Sequence, residues 1–169
     1  MANFGLSYKA TCNIEGGYTL DPHETFMRVD RYYFPQWCGW PVIDNMKSRS
    51  NFPNCLNSNT ELLLMVEDFF KVTFWNPMAG DMINSQPIAD KLYDACVNMG
   101  VETAIKLMQE AVGAESDGVM GPKTLAAINL PPESDVLEGF KNRRIIHYKS
   151  IVALNPKDEK YLEEWLSRC

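Results

Sequence analysis

The chain has 169 residues, of which 46% are hydrophobic and 22% charged, and its formal net charge is −6. This length suits one domain with a real core, or two small lobes that share one. An acidic chain has no general field for phosphate backbones, so we expect no nucleic-acid partner; no apolar run approaches the ~20 residues that span a membrane, so we expect no membrane insertion.

Glycines and prolines divide the first part of the chain. Residues 4–14 predict a helix that ends at Gly16-Gly17, since two glycines stop a helix. Residues 18–58 are irregular and rich in aromatic side chains and prolines, with a short helix predicted over residues 42–47. A segment of this length is long for a loop, so we expect it to carry function or local structure.

Helical periodicity begins after residue 58. Ser58-Asn59-Thr60-Glu61 has the pattern of a capping box, and the apolar face behind it predicts a helix that Asn76-Pro77 breaks. Ser134 is the predicted cap of a long helix. The other predicted helices cover residues 87–100, 101–113, 123–129 and 161–166. Because no alternating strand pattern exceeds four residues, the predicted fold class is all-α.

Five cysteines stand at wide spacings, without a C-x-x-C pair, and the two histidines are far apart in the sequence. We therefore predict no metal site and no cofactor. An odd number of cysteines favours reduced thiols in a protein made in a cytosol. The N-terminus lacks a basic start followed by an apolar stretch, so no secretory signal peptide is expected.

Glu15 is the first candidate for chemistry, because it stands at the predicted end of a helix, directly before two glycines. The helix dipole there disfavours ionisation, and burial beside Tyr18 acts in the same direction. A glycosidase needs a carboxyl group of raised pKa to protonate the leaving oxygen. Asp21, Glu24 and Thr25 follow as candidate partners. From spacing alone, a solvated surface glutamate and an Asp-Pro turn are equally open interpretations.

Several motifs then occur in a recognisable order: Glu15-Gly16-Gly17-Tyr18, Asp21-Pro22, Glu24-Thr25, Trp37-Cys38-Gly39-Trp40-Pro41-Val42-Ile43-Asp44, Phe69-Phe70-Lys71-Val72-Thr73-Phe74-Trp75, and a helix with Ile88-Ala89, Asp94, Val97-Asn98 and Gly100. With them the chain resembles the glycoside hydrolase family 108 muramidases of phage endolysins and of bacterial proteins once labelled secretion activators. The C-terminal half resembles their predicted peptidoglycan-binding module, through Gln109, the segment Asp117-Gly118-Val119-Met120-Gly121-Pro122-Lys123-Thr124 and Trp165-Leu166-Ser167-Arg168.

The resemblance implies a lysozyme-like helical fold, with a catalytic lobe over residues 1–100 and a peptidoglycan-binding module over residues 101–169, packed as one compact unit. It implies hydrolysis of the β-1,4 bond between N-acetylmuramic acid and N-acetylglucosamine in bacterial peptidoglycan. Glu15 aligns with the family's essential glutamate, the general acid. Thr25 aligns with the threonine after the family's G-G-E, which by analogy with phage-type lysozymes orients a water.

One segment departs from the family pattern. The stretch between Asp21 and Thr25 is shorter, without the usual second acidic residue and glycine pair, and Arg28 stands where a glycine normally follows. Glu24 is therefore the predicted second catalytic residue, unless it instead caps a helix over residues 26–32. The predicted substrate-binding residues are Tyr18, Asp21, Trp40 and Asn98.

Several features of the sequence allow more than one interpretation. Tyr32, Tyr33, Trp37 and Trp40 either stack on sugar rings or form the core of the irregular segment. The glycine-containing loop over residues 117–124 either takes part in wall binding or is only a helix-connecting turn. The altered segment around Glu24 leaves a catalytically degenerate peptidoglycan-binding protein as the rival function, and a plain interaction module comes third.

The partner expected from the resemblance is bacterial peptidoglycan. We expect a protein made in the bacterial cytoplasm that reaches the cell wall after release, first as a bacteriophage product freed through a holin and second as a toxin-like effector. The sequence leaves the oligomeric state unknown, and a monomer is favoured.

Overall fold

The structure, a computed structural model, describes residues 1–11 and 17–169. Within these residues the chain forms eight α-helices and a small antiparallel sheet of three strands, so the predicted mainly helical class is confirmed. None of the helices described is both long enough and apolar enough to cross a membrane.

The elements follow in chain order. The helices are α1 (Phe4–Thr11), α2 (Gly39–Met46), α3 (Thr60–Phe70), α4 (Gln86–Met99), α5 (Val101–Ala111), α6 (Pro122–Asn129), α7 (Glu133–Leu154) and α8 (Glu159–Ser167). The strands are β1 (Tyr18–Thr19), β2 (Thr25–Phe26) and β3 (Val29–Asp30), paired in the order β1-β2-β3. A π-helical turn, Lys71–Trp75, directly follows α3.

The chain divides into two compact units. The first, Tyr8–Thr73, contains the sheet and is called the sheet unit below. The second consists of Met1–Ser7 with Phe74–Cys169 and is called the helical unit. In the helical unit, α7 packs on α4, α5 and α8. The predicted division at residue 100 stays a prediction.

A tight hairpin joins β2 and β3 in the sheet unit. Phe26 pairs with Val29, so only Met27 and Arg28 form the turn, and both have positive φ, 44° and 68°. Phe26 and Val29 are 0% exposed and anchor the hairpin in the core. The alternative of a helix over residues 26–32 is therefore excluded, and Glu24 caps no helix. Strands of two residues are too short for their alternation to be visible in the sequence.

Two predicted helix caps are wrong. The cap of α3 is Asn59, whose side chain accepts a hydrogen bond from the backbone of Leu62 at 3.1 Å, whereas Ser58 donates to the preceding 3-10 turn. Ser134 lies inside α7, which begins at Glu133, and its hydroxyl donates to Asp135. At α3, Ser58 and Asn59 have similar capping ability, and local geometry decides between them. At α7, the helix begins directly after Pro132, without a side-chain cap.

Candidate active site

Glu15, the predicted general acid, lies outside the described residues. The description continues at Gly17, which stands two positions later in the sequence. Gly17 is therefore the first residue after the predicted acid whose surroundings the structure describes.

A pocket of about 410 Å³ lies in the sheet unit beside Gly17. Its lining comes from α1, the hairpin turn, the 3-10 turn at Asn54–Ser58 and α3, through Tyr8, Gly17, Met27, Asn57, Leu63 and Glu67. The volume lies within the ~300–1,000 Å³ of small-ligand sites. Gly17 thus links this pocket to the segment that carries the predicted acid.

Glu24 is held by three donors from different elements. Its carboxylate accepts hydrogen bonds from the Tyr18 hydroxyl at 2.7 Å and from Arg31 at 2.8 Å, and Lys47 lies 2.7 Å away. Both carboxylate oxygens are engaged, and the side chain is only 15% exposed. Asp44 completes the group, because it receives two hydrogen bonds from Arg31 and one from Lys47, each at 2.8 Å. We call these five residues the Glu24 network.

The network keeps Glu24 ionised. Burial by itself raises the pKa of Glu24, but the hydrogen bonds from Lys47, Tyr18 and Arg31 outweigh burial and lower it below its ordinary value. Hydrogen bonds from Arg31 and Lys47 likewise lower the pKa of Asp44. The pKa of Arg31 is raised, first by its hydrogen bonds to Asp44 and then by those to Glu24. A carboxylate in this setting carries a permanent negative charge at neutral pH and donates no proton.

Three other predicted site residues lie in the same part of the sheet unit. Tyr18 contacts Glu24 directly, and its ring packs edge-on against Phe52 with centroids 4.9 Å apart. The Thr25 hydroxyl donates to the carbonyl of His23 at 3.3 Å. Asp21 is exposed, and its backbone N–H donates to the Thr19 hydroxyl. The structure therefore brings Tyr18 and Glu24 into contact and places Asp21 and Thr25 next to them in the chain.

The tryptophans of the aromatic motif belong to the core. Trp40 is 1% exposed, and its indole N–H donates to the carbonyl of Phe34 at 2.8 Å. Trp37 packs edge-on against Trp40, and a β-carbon at Gly39 would lie 2.3 Å from the Trp37 ring, which explains the glycine in this motif. A ring with this burial offers no face to a sugar, so we leave Trp40 out of the proposed binding set.

The neighbouring tyrosines differ. Tyr32 and Tyr33 are 69% and 68% exposed, and Tyr32 stacks on the His23 ring with centroids 4.6 Å apart. Of the aromatic cluster, these two rings are the ones that solvent reaches.

Asn98 lies in the helical unit, unlike the other predicted site residues. Its amide donates to the backbone carbonyl and carboxylate of Asp94, and it lines a second pocket with His147 and Trp165.

The glycine-containing loop over residues 117–124 is organised from within the helical unit. Gln109 is 1% exposed, accepts a hydrogen bond from the backbone of Gly118, and donates to Asp117, Val119 and Thr124. Gly118 has a φ of 77°, which favours glycine. The motif side chains bond to one another, which favours the helix-connecting turn over a binding loop.

Sequence reasoning gave no role to Arg31, Asp44, Lys47 or Glu67. Arg31 and Lys47 reach Glu24 from separate elements, so no spacing rule reports these contacts. Asp44 and Lys47 do have the i,i+3 spacing of a helical ion pair, but this spacing alone does not indicate a link to Glu24. Within residues 1–11 and 17–169, no group of three or more His, Cys, Asp or Glu side chains is arranged to hold a metal ion.

Two family models match the chain. The glycosyl hydrolase 108 model matches residues 8–100, more than half of the chain, and a model described as a predicted peptidoglycan domain matches residues 103–169. No curated protein matches. Among solved structures, the chain is similar to Brucella abortus SagA, at a TM-score of 0.64 and 21% identity, over 98% of this chain and 92% of SagA. At this identity the similarity shows a shared fold.

Proposed function

The chain belongs to the glycosyl hydrolase 108 family and is a peptidoglycan-degrading glycoside hydrolase, and from this premise we propose that Glu15 is its general acid. The bond cleaved is the β-1,4 bond between N-acetylmuramic acid and N-acetylglucosamine. One observation supports this assignment above the others: the pocket of about 410 Å³ in the sheet unit includes Gly17, two positions after Glu15 in the sequence.

Glu24 is the proposed ionised partner of the acid. An oxocarbenium-like transition state is stabilised by a negative charge, and the lowered pKa of Glu24 keeps its carboxylate charged at neutral pH. Its three donors occupy both oxygens, which argues against a role as nucleophile or general base. We therefore assign Glu24 an electrostatic role and leave the orientation of the attacking water to Thr25.

Tyr18 and Asp21 are the proposed substrate-binding residues of the sheet unit. Tyr18 also positions Glu24 through its hydroxyl. Asp21 is exposed and available to sugar hydroxyls.

The assignment of the acid is tested by Glu15→Gln on purified peptidoglycan, with reducing-end release and mass analysis of the fragments. Loss of a general acid lowers the rate by at least ~10²–10⁴-fold. Glu61→Gln, at an exposed position in the first turn of α3, is the matched control and retains wild-type turnover. Wild-type turnover in Glu15→Gln would show that the acid lies elsewhere. No release by the wild-type chain would favour the catalytically degenerate rival.

The role of Glu24 is tested by comparing Glu24→Gln with Asp44→Asn. Both variants disrupt the Glu24 network, but Asp44→Asn leaves the Glu24 carboxylate in place. An electrostatic role predicts that Glu24→Gln alone loses turnover, by roughly 10²-fold, while melting falls in both variants. If both variants melt early and keep their turnover, the network is purely structural.

A further inference from the structure

A second pocket, of about 280 Å³, lies within the helical unit. The end of α4 and the start of α5 form one part of its lining, and α7 and α8 form the rest. The side chains that define it are Asn98, Thr103, His147, Ile151, Trp165 and Arg168. Its volume is at the small end of ligand pockets, ~300 Å³, and suits a single ring.

One wall of this pocket is aromatic and fixed. Trp165 stacks on Tyr148, with ring centroids 5.4 Å apart and planes 27° from parallel, and on Tyr161, with centroids 5.9 Å apart at the same angle. Tyr148 itself is 4% exposed, so the indole rests on a buried ring. A wall that is already ordered loses little side-chain entropy when a ligand arrives. The part of the indole that lines the pocket is an apolar surface against which the C–H groups of a sugar ring can pack.

A sugar also needs hydrogen bonds to its hydroxyl and amide groups, and neutral side chains of the pocket supply them. Burial lowers the pKa of His147, so its ring is uncharged at neutral pH, with one nitrogen that donates and one that accepts. Within the part of the chain that the structure describes, no hydrogen bond engages these ring nitrogens or the Thr103 hydroxyl. The Asn98 amide lines the same space.

The charged groups of the pocket are balanced. Arg168 lies 3.4 Å from Asp94 and 3.7 Å from Glu164, so its charge is compensated from two sides. Asp94 is also paired with the buried Arg144 at 3.0 Å. A stem peptide carries several carboxylates and needs an uncompensated cation, which this pocket does not offer. N-acetylglucosamine is neutral and makes no such demand.

We propose that this pocket binds one N-acetylglucosamine residue of the glycan strand, and this inference rests on the proposed function for its substrate. The sugar packs against Trp165, while His147 and Thr103 bond to its polar groups and Asn98 lines the site. The site holds a glycan strand through the helical unit, apart from the bond cleavage assigned to the sheet unit.

The two histidines of the chain make the site directly observable. Imidazole proton resonances are recorded by NMR for full-length Glu15→Gln, which does not consume the probe, and His147→Ala assigns the His147 signal. Titration with the N-acetylglucosamine tetramer is expected to shift the His147 resonance in a saturable manner. An isolated stem tetrapeptide is the comparison ligand, and it is expected to leave that resonance unchanged.

Two further variants in the Glu15→Gln background control for folding. Thr103→Val keeps the side-chain shape and removes the hydroxyl. It is expected to weaken binding of the tetramer, measured from the His147 resonance, by about 5- to 10-fold. Lys149→Ala, an exposed position on α7, leaves it unchanged. The proposal is overturned if the tetramer leaves His147 unshifted, if the stem peptide shifts it instead, or if Thr103→Val binds as tightly as its parent. Hydrolysis of peptidoglycan by the wild-type chain is measured separately, so a failure of the proposed function is distinguishable from a failure of this site.

Discussion

The two turn residues of the hairpin beside the candidate active site adopt an unfavourable backbone conformation. Met27 and Arg28 both have positive φ, and a two-residue turn of this kind favours Asn-Gly. Each non-glycine residue in the left-handed region costs of order 1–3 kcal/mol. Burial of Phe26 and Val29 on the flanking strands offsets this cost. Arg28 thus adopts a φ that glycine would adopt without this cost.

We expect Met27→Asn to stabilise the protein, because asparagine tolerates a φ of 44° better than methionine does. A gain of about 1 kcal/mol raises the melting temperature by ~2–4 °C for a chain of this size. Met27→Ala is the control, since it shortens the side chain but lacks the polar group through which asparagine tolerates the left-handed region. Calorimetric melting of the three proteins checks the prediction. Equal gains in both variants would mean that loss of the methionine side chain, and not the backbone, causes the effect.

Glu24 also makes the stability of the folded protein depend on pH. Its pKa is lowered in the folded protein, so the unfolded chain binds a proton more readily. The contribution of Glu24 is thus fully present above its ordinary value of 4.5 and is lost as the pH falls through the lower, folded pKa. We expect Glu24→Gln to lower the melting temperature at pH 7 and to flatten its decline below about pH 4.5.

The measurement is a series of melting temperatures between pH 7 and pH 3. Asp68→Asn, an exposed carboxylate on α3, is the control and keeps the wild-type slope. A Glu24→Gln curve parallel to that of the wild type would contradict the prediction, because it would place the acid sensitivity in other groups.

At the scale of elements, one glutamine organises the connection between α5 and α6. Gln109 is buried and satisfies the backbone N–H of Gly118 and the carbonyl of Val119, together with the side chains of Asp117 and Thr124. Each buried polar group that loses its hydrogen-bond partner lowers the stability of the fold by about 1–3 kcal/mol where water cannot replace that partner. The conformation of the loop thus depends on a residue of the preceding helix.

Gln109→Leu is therefore expected to destabilise the protein by about 2–3 kcal/mol, although leucine suits both the helix and the apolar surroundings. Glu110→Gln, the exposed neighbour, is the control and changes stability little. Urea denaturation followed by circular dichroism gives both values. A Gln109→Leu midpoint equal to that of the control would show that the loop holds its conformation without Gln109.

The same scale shows why some elements were predictable and others were not. Pro87 and Gly100 bracket α4 in the sequence as they do in the structure, since proline suits a first turn and glycine ends a helix. The Met27-Arg28 turn carries neither glycine nor asparagine, so no turn signal announces the hairpin. The Glu24 network assembles residues from β1, the flanks of the hairpin, and α2 with its C-terminal cap, and the contacts between these elements exist only once the fold has formed.

At the scale of the whole molecule, the described residues form two cores, and no disulfide joins the cysteines among them. Cys38, Cys55, Cys96 and Cys169 are free thiols, and Cys12 lies outside the described residues. Cys55 is buried in the sheet unit and Cys96 in the helical unit, so each core contains a buried thiol. Burial raises the pKa of Cys96, which suppresses the reactive thiolate further.

We accordingly expect the protein to need no disulfide, and its thiols to react in the order of their exposure. Mild reduction with dithiothreitol should change neither the melting temperature nor peptidoglycan hydrolysis. With a thiol-specific reagent under native conditions, exposed Cys38 should react first, whereas Cys55 and Cys96 should react only as their cores open. Peptide mapping by mass spectrometry after timed labelling identifies each site, and labelling in denaturant should then find five reactive thiols. A loss of activity on reduction, or rapid native labelling of Cys96, would contradict the view that two well-packed cores alone stabilise the chain.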